Sequence, residues 1–307
     1  VCCGGTCQEC CDHADCSGSE PVCVSGQCAA CSASPADCPG STCCNPNNGT
    51  CVASCPAGDP ICGPDNVCGA CTSHAQCGGD ALCVEGACRA CDVVDGQNLA
   101  TAVGAAQDGE TLYVCAGTYT GGITISTNIA LIGAGDGMSG TIIQGGNDVL
   151  VIRAGTVSQP VTLRGLRIQN GKRGISINPL QNLTMIDCTV SGNTSESIGA
   201  GIDNYRSTLL MTGCTVENNT AQGSNGGGLH NELGSATLTD CLFQGNVAVK
   251  GGAIFNQNQG GTVTLDGTRV TGNWAVGSGS GGSGIYNNGS TGSTVTLQGG
   301  STVCANN

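Results

Sequence analysis

The residues best suited to chemistry in this chain of 307 residues are Asp203, His230 and Glu232. Asp203 and His230 occupy equivalent places in two similar stretches, Gly-Ile-Asp-Asn and Gly-Leu-His-Asn, where we expect both side chains to point outward. An imidazole next to a carboxylate can transfer protons near neutral pH, so these three residues are the candidates for a general acid–base site. The alternative is a solvated surface pair with no catalytic role.

The same position is aromatic in the two stretches that follow, where Phe255 and Tyr286 each precede an asparagine. Aromatic rings on an exposed strand supply contact area for a ligand or partner. The residues Asp203, His230, Glu232, Phe255 and Tyr286 are therefore predicted to form a contact strip for a glycan or a protein rather than a proton relay. We assign no catalytic residue.

Internal repeats must position these side chains. Cys188, Cys214 and Cys241 occupy one position of the repeat, and Thr268 continues it after steps of 26, 27 and 27 residues. Two columns of asparagine share this period; they comprise Asn193, Asn219, Asn246 and Asn273, and Asn204, Asn231, Asn256 and Asn287. A fixed period of about 20 to 50 residues is typical of solenoids.

Short β-branched strands and Gly/Asn corners favour coils of three parallel strands over helical repeats. In such a fold, stacked asparagines hydrogen-bond along the axis and form structural ladders. The column of Cys188, Cys214 and Cys241 is predicted to pack in the core, since an unpaired thiol behaves as a small hydrophobe. We assign it no metal, and we expect no cofactor.

The entry to the repeats carries a family resemblance. An Ala-rich segment of about 98–107 has helical spacing and leads into DGETLYVCAGTYTGGITIS, which resembles the entry of pectin-lyase-like right-handed β-helix proteins. In that family, a helix covers the first coil, and a cysteine before the helix often pairs with one in the first strand. The resemblance therefore implies a capping helix and a disulfide between Cys91 and Cys115.

A second resemblance concerns the repeats themselves. Phe243-x-x-Asn246 and Gly251-Gly252-Ala253-Ile254 are similar to the repeat of chlamydial polymorphic outer-membrane proteins, which are β-helical surface adhesins. Other coils have valine in place of the phenylalanine, so the similarity is partial. It implies an adhesive role at a cell surface.

An enzyme remains the alternative because many polysaccharide lyases and hydrolases are β-helical. Lyases of this kind need clustered acidic calcium ligands, and inverting hydrolases need carboxylates about 6.5 to 9.5 Å apart. The sequence contains neither set. A carbohydrate-active enzyme would have to use Asp203, His230 and Glu232.

The segment 1–91 contains 21 of the 26 cysteines and no aromatic residue. Because such a segment cannot bury a sufficient core, we predict repeated modules held by disulfides. Four Cys-x-x-Cys pairs also fit zinc spacing, and they begin at Cys7, Cys28, Cys68 and Cys88. So many thiols favour an oxidising compartment, and a chain that begins at Val1 is typical of a processed export product.

The net charge of −13 argues against nucleic acid and anionic membranes as partners, and no apolar run is long enough to span a bilayer. We therefore expect two domains, 1–91 and an all-β right-handed parallel β-helix over 92–307, in an extracellular or cell-surface protein.

The expected function is structural or adhesive. Subunits are expected to stack head to tail into a fibre, because no helix or charged lid follows the last predicted strand. The chain itself is thus the predicted partner, and surface glycans are a second candidate.

Overall fold

The computed structural model describes residues 71, 77, 80–156, 159–257, 260–277, 281–289 and 292–306, together with the backbone of short strands before residue 71. The chain forms two compact units, Val1–Ala90 and Cys91–Asn307. The boundary differs by one residue from the predicted division, because Cys91 is bonded to Cys115 and so belongs to the second unit.

The strands that the structure describes in the first unit form antiparallel hairpins. Their strands pair in sequence order and are β1 (Cys2–Cys3), β2 (Thr6–Cys7), β3 (Val22–Val24), β4 (Gln27–Ala29), β5 (Cys43–Asn45), β6 (Thr50–Val52), β7 (Ile61–Cys62), β8 (Cys68–Gly69), β9 (Ala81–Val84) and β10 (Ala87–Ala90). Two disulfides, Cys71–Cys83 and Cys77–Cys88, hold its described part. The predicted modules before residue 71 otherwise lie outside the described residues.

The second unit begins with α1 (Leu99–Ala105), close to the predicted segment 98–107. Asn98 caps the helix, since its side-chain oxygen accepts a hydrogen bond from the Thr101 amide at 3.2 Å. Leu99 and Val103, four residues apart, point to one side of the helix and are buried in the solenoid core. The helix thus covers the first coil, as the resemblance implies.

The rest of this unit is a right-handed parallel β-helix. Sheet 1 comprises β11 (Thr111–Val114), β14 (Ala130–Gly133), β17 (Val161–Arg164), β20 (Asn182–Ile186), β24 (Thr208–Thr212), β28 (Ser235–Thr239), β32 (Thr262–Asp266) and β36 (Thr294–Gln298). Sheet 2 comprises β12 (Gly117–Thr120), β15 (Thr141–Gln144), β18 (Leu166–Gln169), β21 (Thr189–Ser191), β25 (Thr215–Glu217), β29 (Leu242–Gln244), β33 (Arg269–Thr271) and β37 (Thr302–Cys304).

Two further sheets complete the coils. Sheet 3 comprises β13 (Ile123–Ile125), β16 (Asp148–Ile152), β19 (Arg173–Ile177), β23 (Ile202–Tyr205), β27 (Leu229–Glu232), β31 (Ile254–Gln257) and β35 (Ile285–Asn287). The small sheet 4 comprises β22 (Thr194–Ser195), β26 (Thr220–Ala221), β30 (Val247–Ala248) and β34 (Trp274–Ala275). All-β architecture with one short helix agrees with the prediction.

The core follows from alternation along each strand. In sheet 1, Leu183, Leu209, Ala236 and Val263 occupy one inward column, and each is at most 1% exposed. A shift of one residue in any strand would place these side chains on the outer face, so burial fixes the register. The register carried from coil to coil is what brings distant polar residues together on sheet 3.

No helix in the described part of the chain is both long and apolar enough to cross a membrane.

Candidate functional site

The predicted strip lies on the outer face of sheet 3. Asp203, His230, Phe255 and Tyr286 are direct partners on the four consecutive strands β23, β27, β31 and β35. Glu232 lies two residues beyond His230, in a neighbouring column between Tyr205 and Gln257. The structure therefore brings the five predicted residues together.

His230 is fully buried and uses both ring nitrogens. Its Nδ1 lies 2.9 Å from Asp203 Oδ1, and its Nε2 lies 2.9 Å from Gln257 Oε1. In both protonation states, Nδ1–H of His230 donates to the Asp203 carboxylate. In the neutral ring, Nε2 accepts a hydrogen bond from the Gln257 side-chain amide group; in the imidazolium, Nε2–H donates to the Gln257 side-chain carbonyl oxygen. The imidazole is thus held between two neighbouring coils.

Both carboxylate oxygens of Asp203 also have partners within the protein. Its second oxygen, Oδ2, pairs with Arg173 Nη1 at 3.1 Å. The same guanidinium donates to Ser176 Oγ at 3.2 Å, and its Nε lies 3.8 Å from Asp148 Oδ1. With one oxygen on His230 and the other on Arg173, both carboxylate oxygens of Asp203 have a partner within the fold.

Three rings continue the column below Asp203. The centroids of His230 and Phe255 are 5.7 Å apart at an angle of 13°, and those of Phe255 and Tyr286 are 5.4 Å apart at 5°. Lys250 Nζ lies 5.1 Å from the Tyr286 ring centroid, within range of a cation–π contact. This arrangement is a stacked array in which each ring has a neighbour.

The expected exposure of the strip is wrong at two of its positions: His230 is 0% exposed and Phe255 is 4% exposed. The cause is the segment that precedes each strand, which turns sharply and packs against the outer face. Gly226, at φ +70°, makes this turn, and a Cβ there would lie 2.9 Å from the Cβ of His230. Only glycine allows so close an approach at a positive φ.

The first asparagine column forms a buried ladder. Each Nδ2 donates to the Oδ1 of the next member at 2.8 to 3.0 Å, along Asn193, Asn219, Asn246, Asn273 and Asn306. At the upper end, the Gly171 amide donates to Asn193 Oδ1 at 2.9 Å. Asn306 was not predicted, because the last step is 33 residues instead of 26 or 27.

The second column, Asn204, Asn231, Asn256 and Asn287, forms a similar ladder with amide contacts of 2.7 to 2.8 Å. Its upper end is incomplete. Asn204 Oδ1 is buried without a hydrogen-bond partner, because the residue at the same position in the coil above is Ile177. An unpartnered buried carbonyl oxygen is destabilising.

The cysteine column lies in the core, where Cys188, Cys214 and Cys241 are free thiols at most 3% exposed. Hydrogen bonding with Cys188 and burial raise the pKa of Cys214, and hydrogen bonding with Cys214 and burial raise that of Cys241. Such thiols stay protonated and unreactive. Thr268 and Ser301 continue the column below them.

The zinc alternative can be examined in the described part of the first unit. One group of potential ligands lies close together there, namely Cys71, Cys77 and Cys88, and all three are in disulfides. The expected Cys91–Cys115 bridge is also present. Disulfide sulfurs are not thiolate ligands, so these cysteines are covalent links.

Comparison with known proteins gives one family. The model of the family described as "Periplasmic copper-binding protein (NosD)" matches residues 103–298, which include every strand of sheet 3. No curated protein matches the chain.

Proposed function

The chain belongs to the NosD family, whose model covers well over half of its length, and on this premise we propose that it is a non-catalytic structural or adhesive protein outside the cytoplasm. Its disulfides support an oxidising compartment, either the periplasm or the cell surface. The solenoid would act through its extended surface.

The state of Asp203 and His230 carries this proposal. A general base must reach a proton of the substrate, yet His230 is inaccessible and both of its nitrogens are held by protein groups. Asp203 is likewise held by two cationic or donor groups. The best acid–base pair predicted from the sequence thus serves the packing of the coils.

Copper appears in the family description, so the soft donors of the chain must be considered. Copper(I) is bound by accessible thiolates and thioethers. In the described residues, the thiols of Cys188, Cys214 and Cys241 are buried and donate to backbone carbonyl groups, and Met185 and Met211 are buried in the same core. Cys304 and Met138 are exposed, but Cys304 lies on the last strand of sheet 2 and Met138 precedes the second, so they cannot share one ion. These residues do not fit a copper site, and the proposal contains no copper chemistry.

End-to-end association is the second part of the proposal. The inward columns of sheets 1 and 2 reach the last described coil, where Leu297 is 48% and Val303 is 41% exposed. Their neighbours one coil above, Leu265 and Val270, are fully buried. An edge that exposes apolar side chains and unpaired backbone favours association, and we propose the cysteine-rich unit of a second copy as its occupant.

Sedimentation velocity and electron microscopy of the full chain test this association. Wild type should form concentration-dependent linear oligomers, whereas Leu297→Lys should remain monomeric. Leu210→Lys is the matched control, because Leu210 is 43% exposed on an interior strand of sheet 1. A wild-type monomer at high concentration, or equal behaviour of the two variants, would refute end-to-end stacking.

An assay on acidic polysaccharides tests the absence of catalysis. We expect no unsaturated or reducing-end products. Turnover that is abolished by His230→Gln in a folded protein would instead establish the carbohydrate-active enzyme.

A further inference from the structure

We propose that a cleft beside sheet 3 binds one neutral pyranose ring of a glycan. This proposal rests on the proposed adhesive function and specifies the class of ligand that the protein would bind. The cleft has a volume of about 310 Å³, at the lower end of the range for small-molecule sites. A space of this size suits a single ring rather than a long oligosaccharide.

The lining combines apolar and polar side chains. Pro179 and Ile198 supply apolar surface, and Asn178, Tyr205 and Glu232 supply polar groups. Ile177 also borders the cleft, but its side chain is 2% exposed and packs in the core. Tyr205 and Glu232 are direct partners on β23 and β27, so their side chains leave the sheet on the same face. A pyranose ring also combines apolar and polar parts, since its C–H face is apolar and its hydroxyl groups are polar.

In the part of the chain that the structure describes, three polar side-chain groups of the cleft have no partner, whereas Ser176 and Asp203, which also line it, both contact Arg173. Within the described residues, the Tyr205 hydroxyl, the Glu232 carboxylate and the Asn178 amide group have no side-chain hydrogen bond or ion pair in the fold. They offer a donor and acceptor, a strong acceptor, and an amide that can do both. Neighbouring hydroxyl groups of a sugar each donate and accept hydrogen bonds, so they need both donors and acceptors in the cleft.

The charges around the cleft favour a neutral ligand. Asp203 contributes to the lining, but Arg173 pairs with it at 3.1 Å. The guanidinium of Arg206 lies 5.6 Å from the Tyr205 ring centroid. An anionic sugar would meet the carboxylates of Asp203 and Glu232 in the lining. The guanidinium groups of Arg173 and Arg206, which lie next to lining residues, offset the attraction that these carboxylates would exert on a cationic sugar.

Ligand-observed saturation-transfer NMR on the full chain tests the proposal. The probes are the methyl glycosides of glucose, galactose, mannose and N-acetylglucosamine, with galacturonate and glucosamine as charged comparators. At least one neutral glycoside should bind with a Kd on the order of 1 mM, as expected for so small a ligand in an open cleft.

Variants locate the binding. Tyr205→Ala and Glu232→Gln should each weaken it about tenfold, and Tyr205→Phe should weaken it less because the ring remains. Matched controls are Tyr113→Ala on sheet 1 and the exposed Glu196→Gln, neither of which should change the Kd. Circular dichroism confirms that each variant is folded.

Three results would overturn the cleft assignment: no transfer to any neutral glycoside, tighter binding of a charged comparator, or undiminished binding by folded Tyr205→Ala and Glu232→Gln. Sedimentation of the same proteins separates this failure from that of the proposed function. If the variants no longer bind the sugar but still associate end to end, the association proposal stands. If the wild-type protein binds the sugar but remains a stable monomer, the sugar-binding proposal stands and the association proposal is refuted.

Discussion

At the scale of single residues, His230 is the centre of a polar network that crosses five consecutive strands of sheet 3. The network runs from Asp148 through Arg173, Asp203 and His230 to Gln257. Removing one partner from a buried network leaves the others without their hydrogen bonds, which costs more than the pair itself contributes. Alternatively, His230 stabilises the fold mainly by stacking its ring on Phe255.

Replacing His230 with phenylalanine separates the two accounts. His230→Phe would retain a ring above Phe255 but leave Asp203 Oδ1 and Gln257 without their partner. We expect the free energy of unfolding to fall by about 2 to 4 kcal/mol, measured by urea denaturation. Tyr286→Phe, which keeps the stack, should change it by less than about 0.5 kcal/mol. Unchanged stability of His230→Phe would show that stacking dominates.

The second asparagine ladder provides a comparison within one column. Asn231 accepts from Asn204 and donates to Asn256, whereas Asn204 has no donor above it. Asn231→Ala should therefore lower the free energy of unfolding by about 3 kcal/mol, and Asn204→Ala by about 1 kcal/mol less. Chemical denaturation of both variants measures the difference. Equal losses would mean that the missing partner of Asn204 has no energetic consequence.

At the scale of structural elements, the thiol column makes stability depend on pH. Unfolded cysteine titrates near pH 8.5, and the fold raises the pKa of Cys214 and Cys241, so the fold prefers the neutral thiols. Their contribution is complete below that pH and is lost as pH rises toward the folded pKa values.

Above pH 9, the free energy of unfolding should fall by roughly 1.4 kcal/mol per pH unit for each thiol. Denaturation at pH 7 to 10.5 measures this slope. The double variant Cys214→Ala/Cys241→Ala should have a smaller slope, and an identical slope would assign the alkaline loss to other groups.

The repeat made the coils from β20 to β32 and their register predictable, because burial and the first asparagine ladder go with a spacing of 26 or 27 residues there. The pattern failed where the spacing changed. Asn306 and Ser301 continue two columns after 33 residues, so alignment at 27 residues misses them. Glycines such as Gly226 were the available signal for the cover over His230, whereas nothing in the repeat indicated Arg173 or Gln257 as its partners.

At the scale of the whole molecule, the two units are stabilised in different ways. The solenoid has a continuous apolar core, while the described part of the first unit depends on cross-links. Cys91–Cys115 is the exception, since it lies in the solenoid and closes the region that holds the cap helix. A linkage that spans 24 residues is expected to add about 3 kcal/mol.

Mass spectrometry of the intact chain tests this division. Of the 26 cysteines, 22 occur up to Cys115, and we expect all of these to be in disulfides. The other four, Cys188, Cys214, Cys241 and Cys304, should be labelled by iodoacetamide after unfolding, and only the exposed Cys304 in the native state. Bound zinc, or more than four labelled thiols, would contradict the prediction.

The direction of the ladders determines how the solenoid can be lengthened. Each asparagine inside a ladder accepts from the coil above and donates to the coil below, so the two faces of such a coil are complementary. An extra copy of 26 or 27 residues inserted between two such coils would restore every amide contact that it interrupts. The interior therefore sets the cross-section of the solenoid but leaves the number of its coils free to change.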